Sequence, residues 1–481
     1  MRNLQPKKLW NYFYEITQIP RPSKKEERIL AYLIDFAEKH QLAYEQDETK
    51  NLIIRKPASI GYEKLPTVIL QSHVDMVCEK NADVTHNFDT DPIQAFVEGD
   101  WVKAKGTTLG ADNGIGVAMM LAVLDADNLK HPALECLFTV DEETGLTGAY
   151  GLGKDFLKGS ILINLDSEDD GEVFIGCAGG IGTKALFHYE TELTPAGYFG
   201  FRVSVSGLSG GHSGGDIHLG RANANKVLNR YLWQVNQKMK LLLFSFQGGN
   251  LHNAIPREAT ALCAVPHADK EDLRVMLNLY IAAVEEQFKD IEPNIQISLE
   301  SEELPKSVIK KSFSDTLLNM LYACPHGVKA MSRDIPGLVE TSTNLASVKM
   351  LDNNIIEVNT SQRSSSNDSK IDIANHVYAA FDMAGAEVVQ SDGYPGWQPN
   401  KNSAILRKAS LAYEKLFGDA PKQTAIHAGL ECGLFLEKYP HLDMISMGPQ
   451  MYDVHSPDER VSIRSTQKSW DWLVEILQSL L

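Results

Sequence analysis

Hydrophobic positions in the first part of the chain follow two different periods. Ile29, Leu30, Leu33 and Ile34 recur at helical spacing. The run Ser23-Lys24-Lys25-Glu26 before them has the S-x-x-E pattern of a helix cap, which predicts an amphipathic helix opening there. Three later segments are unbroken apolar runs that end abruptly in acids or histidine: Thr67 to Leu70 before Gln-Ser-His-Val-Asp, Leu134 to Val140 before Asp-Glu-Glu-Thr-Gly, and Ser160 to Leu165 before Asp166. Such runs predict strands buried on both faces, the habit of a sheet covered by helices. Between the first two, Gly-Ala-Asp-Asn-Gly-Ile-Gly (Gly110 to Gly116) leads into Val117, Met120, Leu121 and Leu124, an apolar helix with small residues at its start. Strand and helix therefore alternate, as in an α/β domain.

From about residue 185 the pattern changes. Strands are expected over Phe199 to Val205, Leu241 to Phe246, Ala259 to Val265 and Ile295 to Leu299, with helices over Arg221 to Val235 and Glu271 to Phe288. The order β-α-β-β-α-β is that of the ferredoxin-like motif. A second, less complete pass follows: helix Ile309 to Tyr322, strands near Val339 to Met350 and Ile355 to Thr360, helix Ile371 to Met383 and strand Ala386 to Gln390. The stretch Ser391 to Asn400, rich in Gly and Pro, reads as a linker back to α/β-type sequence with the apolar strand Met444 to Met447.

Composition narrows the function classes. The chain has 481 residues, 43% of them hydrophobic, with 46 Lys plus Arg against 63 Asp plus Glu and a formal charge of −17. That excess of acid disfavours nucleic acid and anionic membrane surfaces as partners. The longest apolar stretch, Val117 to Leu124, falls far short of the roughly 20 residues a membrane helix needs. Residues 1–20 carry Lys7, Lys8, Trp10 and Glu15 among their apolar positions and lack the core of a secretory signal. The six cysteines are scattered and include no C-x-x-C pair, so a reducing, cytoplasmic setting is expected, with no disulfide framework and no thiolate metal site.

The chemistry-bearing residues stand at the ends of the expected strands. His73 and Asp75 form H-x-D, in which a carboxylate can hold one ring nitrogen while the other binds a metal. Asp112 alone would read as a helix N-cap, and the adjacent Glu142 and Glu143 alone as a solvated turn. With Asp166 they form a set, because ligands of open α/β sheets gather beyond the carboxyl ends of the strands. The glycine-rich stretches match neither phosphate-binding pattern, and H-E-x-x-H is absent. Gly211-His212-Ser213-Gly214-Gly215 does match G-x-S-x-G, leaving a serine hydrolase built on Ser213 as an alternative, although the preceding strand is expected to stop near Val205. His40, His86, His131, His188, His267 and His326 have no acid at metal-ligand spacing and are expected in solvent.

Taken together, S-H-V-D, G-A-D-N-G-I-G, D-E-E-T-G, N-L-D, G-G-H-S-G-G-D and a late Asp-Val-His resemble the co-catalytic zinc peptidases of the aminoacylase and carboxypeptidase superfamily. The motifs run from residue 73 to residue 455. Many deacylases of the superfamily carry D-x-K-G around the bridging Asp, whereas this chain has Asp112-Asn-Gly-Ile, which favours the dipeptidase branch.

The resemblance implies two divalent metal ions, zinc by default with cobalt or manganese as alternatives. His73, Asp112 and Asp166 would hold one, and Asp112, Glu143 and His455 the other. Glu142 would be the general base, Asp75 the partner of His73, and His212 a donor to the oxyanion. Asn253, Arg363 and Gly429 would bind substrate. The implied fold is α/β: a discontinuous zinc-peptidase catalytic domain, a mixed sheet flanked by helices, over 1–184 and 395–481. An α+β lid of doubled ferredoxin-like type is inserted over 185–394, and its opening and closing is expected to gate turnover. The implied activity is hydrolysis of unblocked dipeptides, including Xaa-His dipeptides such as carnosine, with an N-acyl amino acid deacylase as the rival. The partner is then a small peptide. A homodimer paired through the lid is a further expectation, although a doubled lid could supply both halves within one chain.

Overall fold

The computed structural model describes all residues, 1–481, as two compact units. The first comprises 1–177, 397–425 and 430–481; the second comprises 178–396 and 426–429. The sequence-based boundary at 184/185 falls inside the strand Gly179–His188. That strand pairs along its whole length with Ile355–Ser364 and so belongs to the second unit.

The first unit is built on an eight-stranded mixed sheet. In spatial order its strands are Ala43–Gln46, Leu52–Lys56, Leu134–Thr139, Val68–His73, Ile161–Asn164, Asp443–Ser446, Glu172–Cys177 and Lys422–Ile426. The four from Leu134–Thr139 to Asp443–Ser446 are parallel, so their carboxyl ends share one edge. Val68–His73 and Leu134–Thr139 are buried at every position, as unbroken apolar runs require when both faces are covered. Helix Ala111–Leu124 packs on Val68–His73, with helix Lys7–Thr17 against it, and helix Ala404–Phe417 covers Asp443–Ser446. Gly116 permits the first contact, since a Cβ there would run into the Ser72 hydroxyl on that strand.

A small antiparallel sheet brings the end of the chain home. Its order is Met451–Tyr452, Arg460–Ser462, Trp101–Ala104, Ala95–Glu98, with Val461 opposite Val102. The loop closing the hairpin between its first two strands carries His455. Left-handed backbone at Asp453 (φ 54°) and His455 (φ 63°) turns that loop.

The second unit contains β1 (Gly179–His188), β2 (Tyr198–Ser206), α1 (Ala224–Lys238), β3 (Leu242–Gly248), β4 (Ala259–Pro266), α2 (Lys270–Phe288), β5 (Gln296–Ser301), α3 (Lys311–Ala323), β6 (Val339–Leu351), β7 (Ile355–Ser364), α4 (Asn367–Met383) and β8 (Glu387–Gln390). The sheet order β5-β2-β4-β3-β6-β7-β1-β8 is two ferredoxin-like sheets joined edge to edge, with Gly248 of β3 opposite Val348 of β6. One apolar core, including Phe187, Phe201, Leu228, Phe246, Leu321 and Phe381, runs beneath both halves. The doubling expected from the sequence is a continuous sheet, and its second half begins with β1, ahead of the first half in the chain.

Two local expectations are corrected. Ser23 does not cap the first amphipathic helix: Glu27–Lys39 starts after Glu26 without a side-chain cap, and the Ser23 hydroxyl donates to Asp75 Oδ2 at 2.8 Å. His86 and His131 are buried and His40 and His326 half-buried rather than in solvent, and the neighbour that accounts for His131 is a backbone oxygen, Pro132 O, 2.7 Å from Nδ1. No helix is long and apolar enough to cross a membrane.

Candidate metal centre

Three parallel strands of the first unit deliver their chemistry to one edge. His73 ends its strand, Glu142 and Glu143 lie just beyond Leu134–Thr139, and Asp166 follows Ile161–Asn164. Asp112 joins them from the first turn of helix Ala111–Leu124, where its own backbone is non-helical (φ −79°, ψ 109°) and its side chain is freed from capping.

Asp112 stands between two imidazoles. Its Oδ1 is 3.0 Å from His73 Nε2 and its Oδ2 is 3.1 Å from His455 Nε2. Each imidazole is shared with a second carboxylate: Asp166 Oδ1 lies 3.4 Å from His73 Nε2, and Glu143 Oε2 lies 3.1 Å from His455 Nε2. The site thus divides into His73, Asp112, Asp166 and Asp112, Glu143, His455, each with ligand atoms within 4.8 Å of one another. His73, Glu142 and Glu143 also meet that distance, as do the buried acids Glu26, Asp75 and Asp141, of which Asp75 faces His73 Nδ1.

The electrostatics ask for cations. Glu143 Oε1 and Asp166 Oδ1 are buried without a hydrogen-bond partner, a costly state for carboxylate oxygens. Burial, and then Asp166, Glu431 and Glu143 close by, push the Glu142 carboxyl well above its usual range against the pull of His73. Burial likewise raises Asp166 to about 6, with Asp112 and Glu143 adding to it. His455 is driven up to about 11 by its hydrogen bonds to Asp112 and Glu143. Buried acids packed against imidazoles are the donor set that imidazole- and carboxylate-binding divalent metals use, each imidazole binding in its neutral form. The residues present therefore fit such ions.

Asp75 supports the set from behind. Its Oδ1 is 3.4 Å from His73 Nδ1, within ion-pair reach though not aligned as a hydrogen bond. The backbone N–H groups of Glu142 and Glu143 donate to Oδ1 at 3.0 Å and Oδ2 at 3.2 Å. Burial opposes ionisation of Asp75, but His73, Ser23 and the Glu142 amide together hold its carboxyl down to about 2.

Comparisons with known proteins identify the family. The model of peptidase family M20/M25/M40 matches residues 69–479. The chain is a member of that family. The cytosol non-specific dipeptidase of Escherichia coli is 44% identical over 481 residues, covering 100% of this chain and 99% of that protein. The crystal structure of aminoacylhistidine dipeptidase from Vibrio alginolyticus superposes with a TM-score of 0.92 at 42% identity, over 99% of this chain and 97% of that one. Human carnosine dipeptidase 1, at 12% identity and a TM-score of 0.51 over 98% of this chain and 95% of that one, shares the fold.

The remaining residues expected at the site of this M20 peptidase lie in the second unit. His212 Nδ1 accepts the backbone N–H of Gly215 at 3.0 Å and of Gly214 at 3.3 Å, which places the proton of the neutral ring on Nε2. Burial and then Arg363 hold His212 down to about 4. Arg363, 8% exposed, donates from Nη1 to the Tyr394 hydroxyl at 2.7 Å, and its Nη2 is 3.4 Å from His212 Nε2. A cavity of about 520 Å³ is lined by Asn253, Ser361, Arg363 and Tyr394 among others, a size suited to a small ligand. His212 adjoins it through Arg363, and Gly429 faces the Tyr394 ring. Ser213 is 1% exposed, and its hydroxyl contacts Ser361 Oγ at 3.3 Å and Arg363 Nε at 3.4 Å. An activated serine needs a base in hydrogen-bond reach, so these neighbours disfavour the serine-hydrolase alternative.

Three buried residues behind the metal centre carry no motif. Glu431 accepts from Gln71 Nε2 at 2.6 Å and Thr139 Oγ1 at 2.9 Å, and burial pushes it to about 8. Arg21 donates from Nη1 to the carbonyls of Val74 and Asp75, both at 2.8 Å. Glu459 accepts four backbone amides around Asp112. Their partners are mostly main-chain atoms, which leave no pattern in a sequence.

Proposed function

We propose that the chain is a metal-dependent dipeptidase that hydrolyses unblocked dipeptides, Xaa-His dipeptides such as carnosine among them, in the cytoplasm. His73, Asp112 and Asp166 would hold one divalent ion, zinc by default, and Asp112, Glu143 and His455 a second, with Asp112 shared. The observation that carries this reading is the position of Asp112 between two imidazoles at 3.0 and 3.1 Å, each paired with a further carboxylate. The names of the 44% identical E. coli protein and the 42% identical Vibrio structure support the substrate class.

When bound, such ions polarise a scissile carbonyl and lower the pKa of an attacking water to about 7. Glu142 would accept the proton of that water on its carboxylate and return it to the leaving amine. Asp75 would keep His73 Nε2 directed at Asp112 by facing Nδ1, and would hold the backbone on which Glu142 stands. In the second unit, His212 would donate Nε2–H to the developing oxyanion with Asn253 beside it, and Arg363 would bind the free carboxylate of the dipeptide, with Gly429 offering a backbone contact.

The rival is a deacylase acting on N-acyl amino acids. The purified protein is assayed on Ala-His and β-Ala-His beside N-acetyl amino acids, before and after chelation. Turnover of the dipeptides that is lost on chelation and restored by zinc is expected. Turnover confined to the acetylated compounds would replace the substrate class, and full activity after exhaustive chelation would remove the metals.

A further inference from the structure

Glu459 is a buried carboxylate, 2% exposed, that touches no ligand side chain of the proposed centre. Its Oε2 accepts the backbone N–H groups of Leu109 at 2.7 Å and Gly110 at 3.0 Å. Its Oε1 accepts those of Ala111 at 2.7 Å and Asp112 at 3.3 Å. These four amides open the helix Ala111–Leu124, the end at which N–H groups have no partner within the helix and the backbone dipoles favour an anion. One side chain thus satisfies the whole turn that presents Asp112.

The anchor spans most of the chain. Glu459 lies four residues beyond His455, in the hairpin whose second strand, Arg460–Ser462, pairs with Trp101–Ala104. The same turn is gripped from its carbonyl side by Arg21, also 2% exposed, whose Nη2 donates to Gly110 O while Nη1 donates to Val74 O and Asp75 O. Arg21 therefore ties the Asp112 turn to the segment that follows His73. Glu459 ties that same turn to the segment that carries His455. The two connections are separate, and each serves one of the two imidazoles flanking Asp112.

We infer that Glu459 is a positioning residue for the cation pair: it fixes the backbone of Asp112 relative to His455 and so sets the affinity of the Asp112, Glu143, His455 subsite. This rests on the two-ion reading above. A ligand set must be held within about 0.5 Å of its working geometry, and here that tolerance is enforced through main-chain amides. The His73, Asp112, Asp166 subsite keeps its own tie through Arg21 and depends less on Glu459.

The test is a zinc titration against a competing chelator for the wild type, Glu459→Gln and Glu459→Asp, combined with the thermal midpoint of each metal-free protein and with kcat and KM for Ala-His. The wild type is expected to take up two zinc ions per chain. In the variants the first ion should bind nearly as in the wild type, while the second weakens by about 10- to 100-fold, the usual effect of removing a group that supports a ligand. Their kcat should recover as zinc is raised, with KM unchanged. A merely structural role would lower the metal-free midpoint and weaken both ions in parallel, and that result overturns the inference. So does undiminished affinity for both ions in Glu459→Gln. If the Gln variant does not fold, the Asp variant, which keeps the charge but withdraws it by one methylene, decides on the same readouts. Failure of both to fold assigns Glu459 to the fold alone and overturns the inference as well. A wild type that takes up no zinc would instead bring down the two-ion reading, a result distinct from variants that match a two-zinc wild type.

Discussion

Asp75 and Glu142 are joined through the main chain. The N–H of Glu142 donates to Asp75 Oδ1 at 3.0 Å, and the next N–H, of Glu143, donates to Oδ2 at 3.2 Å. The carboxylate that faces His73 thereby also fixes the height of both glutamates above the sheet edge. Asp75→Asn keeps one acceptor oxygen and in either orientation turns an NH2 group toward a backbone amide donor, that of Glu142 or that of Glu143. An orphaned buried donor costs about 1–3 kcal/mol, and loss of such a support lowers metal affinity or activity by about 10- to 100-fold. We expect kcat for dipeptides to fall in that range, measured at saturating zinc. A variant with wild-type kcat would show that the two glutamates hold their place without Asp75.

Glu142 differs from its neighbour in what it touches. Glu143 reaches His455 at 3.1 Å, whereas Glu142 has no ion-pair contact to either imidazole and is buried beside Asp166, Glu431 and Glu143. Glu142→Gln preserves size and hydrogen-bonding capacity but can carry no proton between water and amine. General acid–base catalysis contributes about 10²- to 10⁴-fold, so kcat should drop by at least that range with both metals retained by elemental analysis. Loss of one metal together with activity would instead make Glu142 a ligand, which its distance to His73 and Glu143 also allows.

How much of this was legible from the chain differs by residue. His73, Glu142, Glu143 and Asp166 follow unbroken apolar runs, so their place at the ends of buried parallel strands could be read from periodicity. The order of elements from Tyr198 to Ser301 was legible for the same reason. His455 was reached only through resemblance, because its route home depends on Val461 pairing with Val102, and strands of three and four residues are too short to show a period. Ser23 was misread because S-x-x-E marks a cap only when the helix starts at that serine. Here the helix starts at Glu27, and the hydroxyl is taken by Asp75. Arg21 and Glu459 were invisible because they bind carbonyls and amides, which every residue type supplies.

Arg363 offers a test of the exopeptidase anchor. Its guanidinium donates to the Tyr394 hydroxyl at 2.7 Å and lines the same cavity as Asn253. Lysine keeps the charge but not the fork that grips a carboxylate with two N–H groups. Loss of a charge-assisted hydrogen bond of about 1.5–3 kcal/mol corresponds to roughly 10- to 100-fold, and we expect it in kcat/KM of Arg363→Lys for Ala-His. The decisive comparison uses the C-terminal amide of the same dipeptide. The wild type should discriminate strongly against the amide and the variant weakly. Equal discrimination in both would separate Arg363 from the substrate carboxylate.

The second unit should also lose stability in mild acid. His326 Nδ1 accepts from Asn223 Nδ2 at 3.3 Å and from the Leu345 N–H at 3.4 Å, and burial, with Lys226 adding to it, holds the ring down to about 3. The unfolded ring titrates near 6.5, so above that pH neither state binds the proton and His326 costs nothing. As pH falls from about 6.5 toward 3, the unfolded chain takes up a proton that the folded chain refuses, and stability declines. His427, lowered to about 3 by burial and Arg363, adds to the same slope. Asn at position 326 can present its amide oxygen to the two donors without titrating. We therefore expect the thermal midpoint of His326→Asn to gain on that of the wild type as pH is lowered from 6.5 to 4. A gap between the two midpoints that stays constant over this interval would show that the ring is protonated without cost.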